Sequence, residues 1–404
     1  MNPMEAFLCA FCQKTYPADP FRTFCPECQE PLLCQSPRKT KKFYPGRSHP
    51  LEVMLDFLPL HQANQDLSLG EGNTPLIRLK NVEKKYRLPP LYAKNETVNP
   101  TLSFKDRGTA VAIQKAVSLG LDKIGTVSTG NMAVSTAAYG ARAGLKTCVM
   151  IKEGAHKETL RSIGVYNPLM INVRGDYGEL FRKSVLLGRE NQIYFANSVD
   201  PYRIEGYKIT AFEIFFQLKQ RAPDIIIVPA SSGGHLIGII KAFEELKQQG
   251  FITMHPYYVG VQAEGCSPIA QAFQVKKAHV ERIAKAETIA KAISNPDPPG
   301  GNLLMRMIRE TGGTVIGIPD DKIREAQQTL AEIEGIFVQP ASATALAGVL
   351  ELTEKEKIEP ESRIVLILTG SGIKASVTAG HSDMRVMQAT LDDLPRIFHS
   401  FESD

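Results

Sequence analysis

Short apolar runs rich in β-branched residues alternate with helix-length amphipathic segments along most of this chain. The runs Lys123–Thr129, Lys146–Lys152, Ile225–Ala230, Tyr257–Ala263 and Arg363–Gly370 predict strands. They are apolar almost throughout, which is how strands covered on both faces of a parallel sheet read. Asp106–Leu119, Ala133–Ala143, Tyr207–Arg221, Leu236–Gln248 and Ala341–Leu352 predict helices. The locally repetitive AKAETIAKAI, Ala284–Ile293, fits one more short helix. This alternation predicts an α/β class with parallel sheets.

The length of 404 residues allows two to three domains at about 150 residues each. With 43% hydrophobic and 22% charged residues, the chain is neither mainly disordered nor a collagen-like or disulfide-dense framework. No apolar stretch reaches the ~18 residues of a membrane span. The N-terminus lacks the basic start and apolar run of a secretory signal, so the expected address is cytoplasmic. A net charge of +4 gives no argument for nucleic acid. The basic run Arg38–Lys42 reads as a solvated linker.

Cysteine placement changes this picture. Cys9, Cys12, Cys25 and Cys28 form C-x2-C-x12-C-x2-C, with Cys34 close behind. Each CxxC turn can present two thiolates to one metal, and four sulfurs suit tetrahedral zinc. Four thiolates leave no open position, so the role would be structural. A pair of disulfides, or a knuckle pair without metal, remain as alternatives.

Three loops carry candidate chemistry. In NPTLSFKDRG, Asn99–Gly108, Lys105 stands at a helix start, where the dipole disfavours an ammonium and a neutral amine or imine is easier to hold. That suits a Schiff-base lysine, but from position alone a surface lysine in a turn is the preferred reading. In VSTGNMAVS, Val127–Ser135, Ser128, Thr129 and Asn131 gather donors at a helix start, which suits a carboxylate or phosphate or forms an ordinary cap. In VPASSGGHLIG, Val228–Gly238, a strand runs through Ser231, Ser232, Gly233, Gly234 and His235 into a helix. That reads as a phosphate cup or a tight glycine turn.

Taken together and in order, these loops resemble the pyridoxal-phosphate (PLP) enzymes of the tryptophan synthase β-subunit class. Within that class they resemble the threonine synthases. NSVDPYRIEGYKITAFEI (Asn197–Ile214), GVQAEGCSPIAQAF (Gly260–Phe273), QPASATALAG (Gln339–Gly348) and LTGSGIK (Leu368–Lys374) are similar too. The resemblance runs from about Gly70 to Lys374. It implies two three-layer α/β domains of the tryptophan synthase β-like PLP fold, plus a small N-terminal zinc-ribbon-like extension packed outside. The implied division is 1–45 for the extension and linker, 46–104 and 198–404 for a large PLP-binding domain, and 105–197 for a small domain.

The resemblance also implies roles. Lys105 would carry PLP as an imine and move protons. Asn131 would donate to the cofactor's 3′-oxygen, and Ser231, Ser232, Gly233, Gly234 and His235 would hold its phosphate. Thr369 would meet the pyridine nitrogen. Ser128, Thr129 and Asn131 would lie near the substrate carboxylate. Asn197, Ser198, Arg203 and Lys208 would serve a substrate phosphate, Arg203 foremost because a guanidinium grips phosphate in a bidentate way. The implied reaction converts O-phospho-L-homoserine and water to L-threonine and phosphate, in a homodimer taking a small amino-acid substrate. The alternative is a sister PLP enzyme, a β-replacement enzyme or a dehydratase-like lyase. Several positions depart from the family pattern. Met132 stands for Thr, Leu102 for Gly and Tyr207 for Gln, SSGGH replaces GN-x-GN, and no Asp follows Lys374.

Overall fold

The computed structural model describes residues 6–35, 40–155, 157–355 and 357–375. Arg38 and Lys39 of the basic run, and the stretch beyond Ala375 assigned to the large domain, lie outside these residues.

Two mainly parallel sheets confirm the α/β reading. The larger runs in space Thr314–Ile318, Tyr257–Ala263, Ile225–Pro229, Ile364–Leu368, Leu91–Asn95, Leu76–Arg78. Its strands are parallel except for the antiparallel last pair. The smaller runs Leu169–Val173, Lys146–Lys152, Lys123–Val127, Tyr194–Phe195, all parallel. Ile225–Pro229 and Ile364–Leu368 are buried at every position, as their unbroken apolar runs require. Among the described residues no helix is long and apolar enough to cross a membrane.

The five expected helices form as Lys105–Ser118, Asn131–Arg142, Pro201–Gln217, Gly234–Gln248 and Pro340–Glu354. One starts a turn and a half early. Asp200 caps it by accepting from the Arg203 amide, and Pro201 occupies its first turn. The Lys105 and Pro201 helices cross closely, because a Cβ on Gly206 would lie 2.3 Å from the Arg107 carbonyl oxygen.

Ala284–Ile293 corrects an expectation: it is irregular, with only a single turn at Lys291–Ile293. Its backbone bonds go elsewhere. The amide of Glu287 reaches Gly265, and Asp320 takes both the Ile289 amide and the Thr288 hydroxyl. These tertiary partners override helix propensity.

The N-terminal unit is a third sheet, antiparallel, of Ala6–Cys9, Thr15–Pro17 and Leu32–Gln35. Its two CxxC turns are built alike. The Gln13 amide returns to the Cys9 carbonyl and the Gln29 amide to the Cys25 carbonyl, each at 3.0 Å. Both glutamines adopt left-handed φ, 60° and 57°. The unit does not pack outside, as expected, but is seated in a core. Phe7, Cys9, Cys25, Leu32 and Cys34 share one apolar cluster with Ala112, Ile113, Tyr139, Tyr194 and Tyr202. Asp19 pairs with Arg189 beside the smaller sheet at 2.7 Å, and Glu30 accepts from Asn302 beside the larger at 2.7 Å. The apolar content of its strands could not be buried within so small a unit alone.

Candidate active site

Lys105 is the first residue of its helix, and no side chain caps that end. The preceding loop is laid onto the loop after Ile364–Leu368. The Phe104 amide donates to the Thr369 carbonyl and the Ser371 amide to the Leu102 carbonyl, both at 3.0 Å. Asp106 steadies the same loop by accepting from the Thr101 amide and hydroxyl, each at 2.6 Å. Leu102 has φ +60°, a left-handed backbone that suits glycine, so its departure from the family pattern falls on a strained position.

The Lys105 amine lies 4.2 Å from the centre of the Phe104 ring and 5.9 Å from that of Tyr207. Burial, with the Arg203 guanidinium adding to it, lowers its pKa to about 7. His235 stacks on Phe104, with ring centres 3.9 Å apart, and lies 5.4 Å from Tyr207. Burial and the nearby Lys105 and Arg107 charges push His235 well below its usual pKa, leaving a neutral ring.

The Ser231–His235 loop bends at Gly233, with φ +95°, into the Gly234 helix, which no side chain caps. A Cβ on Gly234 would lie 2.3 Å from the Ser198 carbonyl oxygen, so backbone closes tightly on this helix end. Ser232 accepts from Asn295 at 2.9 Å. On the far side Thr369 and Ser342 share a hydroxyl contact of 2.8 Å. At the Asn131 helix, Ser128 accepts from the Gly130 amide, and Lys374 donates to Asn131 Oδ1 at 3.2 Å. A lysine ammonium only donates, so it turns the amide nitrogen of Asn131 toward Gly370. Sequence reasoning attached no role to Lys374. Thr129 precedes this helix in the same loop.

The four residues expected at a substrate phosphate separate. Ser198 is buried with its hydroxyl unpaired. The fully buried Arg203 donates to the Ala196 carbonyl and to the hydroxyls of Thr109 and Thr136. A guanidinium has five N–H donors; a fourth is directed at the Tyr207 hydroxyl, so one is left over. Asn197 is committed: its oxygen accepts from the Val127 amide at 2.8 Å and its nitrogen donates to Ser184 at 3.0 Å. Lys208 is a correction. Its ammonium is buried among Glu205 at 2.7 Å, Glu245 at 2.9 Å and the Phe57 carbonyl, with all three donors used. The NSVDPYRIEGYKI motif contributes that lysine to structure rather than to the Lys105 pocket.

The missed signal in this motif is Asp200-Pro201. Read as a cap and first turn, it starts the helix early and places Arg203 and Tyr207 four apart on one face. Ser198 Oγ, Ser103 Oγ and His235 Nδ1 are buried without a hydrogen-bond partner, and Tyr207 Oη meets only the Arg203 guanidinium. Native structures leave few such groups, and these gather around one lysine. A near-neutral amine, an uncapped helix end with a glycine bend and unpaired donors fit a phosphorylated pyridine aldehyde.

The sulfurs of Cys9, Cys12, Cys25 and Cys28 all lie within 4.8 Å of one another. No disulfide joins these four cysteines. That geometry is compatible with a metal centre.

Residues 67–370 match the family described as pyridoxal-phosphate dependent enzyme. A threonine synthase of Methanocaldococcus jannaschii is 39% identical over 352 residues, covering 84% of this chain and 86% of that protein. A threonine synthase of Bacillus sp. strain ULM1 is 37% identical over 350 residues, covering 86% and 96%. The solved threonine deaminase isoform 2 of Solanum lycopersicum is similar in fold, with a TM-score of 0.66 at 18% identity, covering 85% of this chain and 97% of that one.

Proposed function

Because the chain belongs to the pyridoxal-phosphate dependent enzymes, and within them to the threonine synthases, we propose that it converts O-phospho-L-homoserine and water to L-threonine and phosphate. The observation that carries this reading is the group of donors without acceptors around Lys105, with Arg203 among them holding one N–H in reserve.

Bound PLP supplies the electron sink for charge left at the substrate Cα. The protein residues hold and move everything else. Lys105 would carry the cofactor, and its amine, half uncharged at about pH 7, takes the proton from Cα and then one from Cβ. Ser231 to His235 would hold the cofactor phosphate at the Gly234 helix end. Thr369 would meet the ring nitrogen as a neutral hydroxyl. Ser128, Thr129 and Asn131 receive the substrate carboxylate at their helix start, with Lys374 fixing the amide of Asn131. Ser198 and Arg203 would receive the phosphate that leaves from Cγ. The two protons taken up are returned, one to Cγ to make the methyl group and one to Cα, while water adds its hydroxyl at Cβ and gives its proton to the departed phosphate. Burial of the pocket keeps water from the reaction until then.

The reading divides the chain as the resemblance implies, with residues 105–197 as a small domain built on the four-stranded sheet. The four cysteines would hold structural zinc, and the protein would act as a cytoplasmic homodimer. One zinc per chain by elemental analysis, lost on Cys25→Ser, supports the metal; its absence from protein with all four thiols reduced removes it.

The direct test is the release of threonine and phosphate from phosphohomoserine, with Lys105→Ala as comparison. Equal amounts of both products, absent in the variant, support the synthase. A PLP-loaded protein that leaves phosphohomoserine untouched removes the substrate assignment.

A further inference from the structure

Tyr207 is the departure from the family pattern that lies deepest in the pocket, and it is 1% exposed. Its ring occupies a slot made by three glycines. A Cβ on Gly108 would lie 2.6 Å from the ring, one on Gly238 2.7 Å from the Tyr207 Cβ, and one on Gly234 3.7 Å from the ring. Any larger residue at Gly108 or Gly238 would displace it. The slot sets where the hydroxyl sits. The same Gly108 position is 2.6 Å from the Arg203 Cγ and 2.8 Å from the ring carbon that bears the hydroxyl, so both side chains run out over one point of the Lys105 helix. Arg203 and Tyr207 are also four residues apart in the Pro201 helix, hence on one face.

At the outer end of this pair the Tyr207 oxygen meets only the Arg203 guanidinium, so its own O–H has no acceptor, and the nearby Ser198 hydroxyl has no partner. Arg203 keeps one further N–H beyond those directed at Ala196, Thr109, Thr136 and Tyr207. These are donors, and what they lack in common is an acceptor with several oxygens. The cofactor phosphate has its own seat at the Gly234 helix end, which leaves the second phosphate, that of the substrate.

We propose that Tyr207 is a ligand of the substrate's phosphate, its phenol donating alongside Ser198 and Arg203. This deepens the threonine synthase reading and rests on it. Burial raises the phenol's pKa, and the Arg203 guanidinium opposes that only in part, so the group remains a donor at working pH. A neutral phenol adds no negative charge to compete with a phosphate dianion. Its hydroxyl also ranks an oxygen-rich leaving group above a bare one, because an unphosphorylated substrate would leave the donors buried and unpaired.

Tyr207→Phe tests this in the PLP-loaded full chain, since it keeps the ring in its slot and removes one oxygen. The KM for O-phospho-L-homoserine should rise about ten- to a hundredfold, the range of a hydrogen bond to a charged group. The inhibition constant of inorganic phosphate should rise by the same factor. The visible spectrum of the bound cofactor should not move. Unchanged KM and phosphate inhibition would overturn the proposal and leave the ring as filler. A fall in kcat with KM unmoved, or an altered cofactor spectrum, would overturn it as well, by assigning the hydroxyl to the chemistry or to the cofactor. If the wild-type protein is inert to phosphohomoserine, the substrate reading fails separately. Calorimetric binding of inorganic phosphate to the PLP-loaded protein then decides. Binding weakened by Tyr207→Phe supports the phosphate site, and equal or absent binding removes it.

Discussion

The Pro201 helix carries two kinds of buried polar group, and they contrast. Around Glu213 the network is closed. Arg107 meets Glu96 through Nε and Nη2 at 2.6 and 2.8 Å, and Glu213 through Nη1 and Nη2 at 2.8 and 2.7 Å. Lys94 donates to Glu213, to the Thr74 carbonyl and to Gln217. Two cations and two carboxylates balance. Lys208, Lys41 and Lys241 close a second network on Glu205 and Glu245. Around Arg203 and Tyr207, on the same helix, donors are left over. Both regions are equally buried, so burial does not mark the active site. Of these two regions of the helix, only the Arg203 and Tyr207 side keeps donors without acceptors.

Glu213→Gln should break the closed side most severely. Removing one charge from a buried pair leaves Arg107 and Lys94 undercompensated, at a cost of about 3–5 kcal/mol near neutral pH. Burial pulls the Glu213 carboxyl upward, but Arg107 and Lys94 hold it at about 2, below its ordinary 4.5. Its contribution is therefore complete above pH 4.5 and fades as pH falls through about 2. Urea unfolding of the two proteins should show a difference that shrinks along this acid limb. A pH-independent difference would point to lost packing instead.

Lys208→Met comes next and sharpens the contrast. It should lower stability by less, because Lys41 and Lys241 still face the two glutamates. Its KM for phosphohomoserine should stay within about twofold of wild type, as removal of a group outside the site implies. A KM rise like that expected of Tyr207→Phe would return Lys208 to the phosphate site.

Leu102→Gly should have the smallest effect. Relief of a left-handed leucine gains about 1–2 kcal/mol, and the freer unfolded chain takes back about 0.4–1. A small net gain in thermal stability is expected. A clear loss would show that the leucine side chain, rather than the backbone, holds this loop.

The sheets were legible because their strands are buried on both faces and leave unbroken apolar runs, as at Ile225–Pro229. Lys105 was singled out by the family motif around it, since its place at a helix start alone reads as a surface lysine in a turn. Lys208 misled because a lysine's sequence context does not say which glutamates will meet it, and Glu245 is 37 residues away. The seat of the cysteine unit was hidden for the same reason, since its partners come from remote parts of the chain. The Arg203–Tyr207 pairing was in principle readable. It was masked because apolar periodicity starts at Tyr207, whereas the helix starts at the Asp200-Pro201 cap.

The seating of the cysteine unit has a consequence in time. Its two turns close on residues within the first 35 of the chain, yet Asp19 waits for Arg189, 170 positions later, and Glu30 for Asn302, 272 positions later. At ribosomal speeds that interval is on the order of tens of seconds. During it Phe7 has no Tyr202 to lie against and Phe24 no Phe181. A nascent chain would thus carry a finished knuckle with a bare aromatic face, and a unit made well before its partners would be among the last to dock.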